Sequence, residues 1–150
     1  MAAVATALML AGAADAASTT SLTQAESSLL GAMNAARAAH GLQPLRADNR
    51  LERAARGHSS YMLRTGTFAH GAFATRIRRV GVHARRIGEN LAWSSGTAAA
   101  ARSIVAMWLA SPEHRANLLH PGYRLVGVGA LHGSFSGMSA LMVTTDFAGQ

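Results

Sequence analysis

The chain has 150 residues, 49% of them apolar, and no cysteine. That length builds one domain with its own core, the apolar share excludes a disordered chain, and the missing thiols exclude disulfide and cysteine chemistry. The formal charge is +7 and all fourteen basic residues are arginine, yet aromatics make up only 5% and no nucleic-acid docking motif is present.

Residues 1–16 form an Ala-rich apolar run that closes on Ala14-Asp15-Ala16, an A-x-A pattern, although no basic residue opens it. It is read as a signal peptide, which predicts a secreted or periplasmic protein. No other segment approaches the ~18 continuous apolar residues of a membrane span, so the mature chain is expected to hold no transmembrane helix. Residues 17–26 read as an N-terminal lead and 27–150 as the domain.

Thr23-x-x-Glu26 is a capping box, and Leu29, Leu30, Met33, Ala36 and Arg37 follow at helical spacing up to Gly41. Pro44 and Leu45 cross to a second helix that starts at Asp48 or Asn49. Its stripe is Leu51, Ala54, Ala55, His58 and Met62, and Gly66 ends it. His58, on that stripe, reads as a core histidine. A short helical piece covers Ala74 to Val80, and a loop punctuated by Gly81 and Gly88 leads to Glu89-Asn90-Leu91-Ala92-Trp93.

Thr97 is placed to cap a third helix through Ile104, Val105 and Trp108, with Trp108 as a core anchor. Ser111-Pro112 restarts helix as N-cap and first helical residue, running to about Leu119. The period then changes: Tyr123 to Leu131 and Met138 to Phe147 read as strands joined by a hairpin loop over Gly133 to Gly137. Helices first and a hairpin last, with room for one earlier strand, predict an α+β layered domain.

Chemistry-bearing residues are few. No Gly-rich phosphate loop and no Gly-x-Ser-x-Gly elbow is present. His70 in Phe68-Ala69-His70, Glu89 in Gly88-Glu89-Asn90 and His114 in Ser111-Pro112-Glu113-His114-Arg115 offer two imidazoles and one carboxylate. Such a set holds a divalent metal with a position left open, or forms an acid/base site. Each also has a structural reading: loop hydrogen bonding for His70, turn fixation for Glu89, capping or packing for His114. Asn90 reads as structural. Glu113 is explained by the helix dipole, and neighbours ~100° apart on a helix do not face one cavity, so it is a doubtful fourth ligand. Asn34 and Arg37 are expected to tie the first helix to a neighbouring loop, and Arg115 either pairs with a carboxylate or faces solvent. His40, His83, His120 and His132 carry no spacing signal. The arginine stretch Arg76, Arg78, Arg79, Arg85 and Arg86 reads as a solvated basic surface.

The ordered fragments Asn34-x-x-Arg37, Gly41-Leu42-x-Pro44-Leu45, Ala55-x-x-His58-Ser59, Phe68-x-His70, Gly88-Glu89-Asn90, Trp108-x-x-Ser111-Pro112-x-His114-Arg115 and Val126-Gly127-Val128-Gly129 span about residues 27 to 147. Together they resemble the CAP superfamily of cysteine-rich secretory, antigen 5 and pathogenesis-related 1 proteins, in its short bacterial SCP-like form. The resemblance implies an α-β-α sandwich with a small central antiparallel sheet. It also implies a cleft where two His and two Glu bind a divalent cation (zinc, magnesium or calcium). His70, Glu89 and His114 match three of these ligands, and the second Glu has no clear counterpart. Three functions follow as expectations. One is an extracellular binding module for a cation and for lipid, an anionic envelope polymer or another extracellular protein. Another is a zinc-dependent hydrolase with Glu89 as base, and the last is a scaffold with a purely structural polar cluster.

Overall fold

A computed structural model describes residues 21–96 and 100–150. The expected signal peptide, the first part of the lead and the Thr97 cap lie outside the described residues.

Helix α1, Gln24–Ala39, opens on the expected capping box: the Glu26 N–H donates to Thr23 Oγ1, and the Thr23 N–H to Glu26 Oε2. Strand β1, Arg46–Ala47, precedes α2, Asn49–Thr65. Asp48 is the N-cap of α2 and accepts from Arg50 N and Leu51 N, while Gly66 ends the helix in the left-handed conformation at φ 65°. Short α3, Phe73–Arg79, leads to β2, Arg86–Ser94. Helices α4, Ala101–Ala110, and α5, Pro112–Leu118, precede β3, Tyr123–Phe135, and β4, Met138–Gly149.

The strands are longer than the sequence suggests. The segment around Gly88, expected as a loop, is already strand, because Gly88 pairs with Phe147 of β4. The expected five-residue hairpin loop shrinks to Ser136-Gly137. Both have positive φ, 50° and 75°, the pattern of the tight turn whose twist suits a hairpin. The sheet order is β1-β3-β4-β2. All pairings are antiparallel except β1 with β3, which is parallel, so the sheet is mixed rather than purely antiparallel.

Alternation along β4 sorts the two faces. Leu141, Val143 and Phe147 join Leu29, Met33, Ile104 and Trp108 in the core under α1, α4 and α5. On the other face, Ala148 packs with Leu51, Ala54 and Ile77 of α2 and α3, and Met142 packs with Met62 and Leu91. The result is the expected α+β domain in three layers. α2 lies very close on β3: a Cβ at Gly127 would overlap the Leu51 and Glu52 backbone, and one at Gly129 the backbone of Ala55 and Arg56. That closeness is what the Val-Gly-Val-Gly pattern serves.

Two polar ties join the layers. Arg56 makes a two-pronged pair with the fully buried Glu26, Nε–Oε1 at 2.7 Å and Nη2–Oε2 at 2.5 Å, linking α1 to α2. Burial pushes the Glu26 carboxyl up, but the bonds from Arg56 and Thr23 outweigh it and hold the group below its usual range. Arg37, fully buried, donates to the carbonyls of Gln43, Leu118, His120 and Tyr123. Asn34 exchanges two bonds with the Leu45 backbone, so both residues tie α1 to loops.

Replacing Arg37 by Met keeps much of the volume but strands those four carbonyls. Urea unfolding is expected to show a loss of about 4 kcal/mol; a loss under about 1 kcal/mol would mean that water replaces the guanidinium.

Candidate functional site

The Gly88-Glu89-Asn90 segment distributes its side chains by strand alternation. Gly88 leaves room that a Cβ would take from the Tyr123 hydroxyl, 2.5 Å away, and Asn117 Oδ1, 2.7 Å away. Glu89 points to the α2/α3 face and Asn90 to the opposite one. There Asn90 Nδ2 donates to the His114 carbonyl at 2.9 Å, and Asn117 Nδ2 donates to Asn90 Oδ1 and to the Glu89 carbonyl. Asn90 thus holds α5 rather than lining the site.

Glu89 stands directly across the β2–β4 pair from Asp146, and both carboxyls are buried. One guanidinium serves them. Arg76 of α3 pairs with Glu89 Oε2 and approaches Asp146 Oδ1 at 3.7 Å. Glu89 Oε1 accepts from His70 Nδ1 at 2.7 Å. Neither oxygen of Asp146 meets a hydrogen-bond donor among the described residues, which fits a carboxyl that keeps its proton. Burial pushes Glu89 up to about 7, against the opposing pull of Arg76, and burial together with the Glu89 charge drives Asp146 well above its usual range. Proton retention by the two acids lowers the negative charge that the single Arg76 guanidinium has to meet.

His70 is held by three ties. Phe68 packs edge-on against Phe135, with centroids 6.4 Å apart. His58 Nε2 donates to the Ala69 carbonyl at 2.9 Å, and Arg76 Nη1 to the His70 carbonyl at 3.3 Å. His58, buried as expected and kept neutral by that burial, also anchors the loop. The His70 side chain is 58% exposed, and its Nε2 makes no hydrogen bond among the described residues.

His114 has the same arrangement on α5. Its Nδ1 lies 2.9 Å from Ser111 Oγ, and Nε2 is uncommitted among the described residues. Ser111 is the N-cap position and Pro112 the first helical residue, but the hydroxyl serves the imidazole instead of a backbone N–H. Desolvation lowers the His114 pKa, and the nearby His70 charge lowers it further, so the neutral ring is favoured.

The structure therefore brings His70 and Glu89 into contact, with His114 close enough to feel the His70 charge. Glu113 is exposed in the first turn of α5 and joins no ion pair among the described residues, and Arg115 approaches only His40 Nε2, at 3.4 Å. No group of three or more His, Asp or Glu side chains among the described residues is arranged to hold a metal ion. Sequence reasoning missed Asp146 and Asn117, and it misread Arg76, which is an ion-paired group rather than a solvated surface charge. Asp146 did leave a signal, as a lone acid inside the apolar strand segment Ala140–Gly149.

A three-layer α+β domain with this glycine-rich strand defines a fold class, and comparison with known proteins agrees on the fold. The sequence matches the cysteine-rich secretory protein family, CAP, over residues 30–146. The chain belongs to that family. It is 33% identical over 101 residues to the uncharacterized protein YkwD of Bacillus subtilis (strain 168), covering 64% of this chain and 38% of that one. The chain thus spans well under half the length of this curated relative. Among solved structures, an extracellular protein containing a SCP domain from Bacillus anthracis superposes with a TM-score of 0.69 at 26% identity, covering 84% of this chain and 40% of that one. An outer surface protein from Borrelia burgdorferi has the same fold, with a TM-score of 0.69 at 20% identity over 85% of this chain and 95% of its own. No helix among the described residues is long and apolar enough to cross a membrane.

The raised Glu89 carboxyl makes a signed prediction. The folded chain holds its proton more tightly than the unfolded chain does, so this contribution is complete below pH 4.5 and is lost as pH rises toward about 7. Urea unfolding between pH 4 and 8 is expected to show Glu89→Gln flattening the decline by about 3 kcal/mol, since the rise from 4.5 to about 7 is worth about 1.4 kcal/mol per pKa unit. Identical profiles would mean that Glu89 is ionised throughout.

Proposed function

We propose that this chain is an exported CAP-domain binding module that takes one divalent cation between His70 and His114. The observation carrying this reading is that both rings spend Nδ1 on a local partner, Glu89 or Ser111, and leave Nε2 uncommitted. A histidine ligand whose other ring nitrogen is held by a carboxylate is the usual way a protein orients imidazole toward a metal. The donor set suits a cation in revised form. Glu89 acts through His70 and is not itself a ligand, because its two oxygens already accept from His70 and Arg76. Imidazole nitrogens favour zinc over magnesium or calcium, which prefer oxygen. A bound cation would supply a fixed positive charge with open positions for an anionic ligand. His70 and His114 hold it, and Glu89 with Arg76 keeps the His70 ring in place.

Export is supported by the apolar run ending in Ala14-Asp15-Ala16 and by the extracellular and outer-surface proteins that share the fold. The hydrolase alternative gains no support, since the Glu89 side chain is 1% exposed and has no free oxygen to activate water.

Zinc titration by calorimetry, with metal analysis after dialysis, is expected to give one site in the native chain and none in His70→Ala/His114→Ala. Glu89→Gln should weaken binding by about 10- to 100-fold. No uptake by the native chain, or equal uptake by the double variant, would leave only the structural role.

A further inference from the structure

Arginine in this chain falls into two populations. Of the six described acidic residues, five are already matched by a guanidinium: Glu26 and Glu52 by Arg56, Asp48 by Arg50, and Glu89 and Asp146 by Arg76. The sixth, Glu113, stands exposed on α5. Little internal counter-charge therefore remains, and apart from the buried Arg37 the other arginines face outward. They are not evenly dispersed. A cavity of about 560 Å³ opens where β1, the start of β3, the end of β4 and the loop between α3 and β2 meet. Arg46, Arg50, Arg85 and Arg124 line it together with His83, and no acidic residue does.

Two of these guanidiniums are set in place. Arg50 is clamped by Asp48, Nη2–Oδ2 at 2.7 Å, and donates to the Gly81 carbonyl at 3.2 Å. Arg124 donates to the carbonyls of Pro121, at 2.6 Å, and Tyr123, at 2.9 Å. Arg46 and Arg85 have neither a carboxylate nor a carbonyl partner among the described residues. After Asp48 offsets Arg50, three positive charges from three separate chain segments share one concavity. Like charges gathered this way repel one another and cost stability unless an anion is held between them. Leu125, Val82 and Ala148 supply an apolar floor, and the volume is that of a small-molecule site.

We propose that this cavity is a phosphate-binding site, independent of the imidazole pair because the two share no residue. Several guanidinium forks on a concave wall match a group with more acceptor oxygens and more charge than one carboxylate carries, and a chain of phosphates matches best. The phosphates belong either to a free or polymeric phosphate or to phospholipid headgroups.

The test uses the native chain in chelator at physiological salt, so that no metal at His70 or His114 contributes. Tripolyphosphate and inorganic phosphate are titrated by calorimetry, and vesicles of phosphatidylglycerol with phosphatidylcholine by sedimentation. Tripolyphosphate is expected to bind more tightly than inorganic phosphate. The exposed pair Arg46→Gln/Arg85→Gln should weaken binding about tenfold or more, while Arg64→Gln/Arg102→Gln, which removes equal charge elsewhere, stays within about twofold. Binding to vesicles alone, with the same variant pattern, assigns the phosphate to lipid. Equal weakening by both pairs would reduce the effect to net charge and overturn the site, as would binding of none of the probes. Thermal melts of both variants check that each remains folded.

Discussion

Two carboxyls buried face to face across β2 and β4 are an expensive arrangement, and the site is organised around making it tolerable. Glu89 and Asp146 share one guanidinium, from Arg76, and burial favours proton retention by both. Removing ions from water is costly, and the cost falls when proton retention lowers the negative charge that one cation has to meet. Arg76 reaches the acids only because α3 lies on the sheet beside α2, where Ile77 is buried against Leu51 and Ala148. The packing of a short helix and the charge balance of the sheet are thus one constraint.

The same strand serves both outer layers. Within three consecutive residues, β2 provides space at Gly88, an acid toward α3 at Glu89 and an amide toward α5 at Asn90. His70 and His114 arrive from opposite layers, one on a loop tied by His58 and Arg76, the other on the first turn of α5. Their rings are steered by different partners, a carboxylate and a hydroxyl, to the same end: Nδ1 engaged and Nε2 available. A rigid sheet carrying polar groups on short flanking segments is a common way to position a binding site.

Charge follows a parallel logic. Five of the six described acids are consumed in ion pairs, and four of the fourteen arginines line one cavity where strand ends from β1, β3 and β4 converge. A CAP domain of this kind presents an imidazole pair and a guanidinium-lined cavity on one small scaffold. The two Bacillus proteins carry the matched region within longer chains.

Local chemistry was readable wherever cause and effect lie within a few residues. The Thr23–Glu26 box, the Asp48 cap, the Gly66 stop and the apolar spacing of α1 and α2 are short-range devices, and each sits where the residues indicate. His70 and Glu89 were legible as a pair only through the order of motifs around them. Strand extents were not, because pairing across the sheet recruited Arg86 to Gly88 and reduced the hairpin loop to two residues. By itself, then, the sequence determined the helices, the layered α+β class and the candidate residues. The tertiary structure alone decided that Arg76 is the partner of Glu89, that Asp146 lies opposite it and that Ser111 serves a ring instead of a helix end. Those outcomes depend on which groups are buried together and left to share a proton or a charge, and no spacing along the chain encodes that.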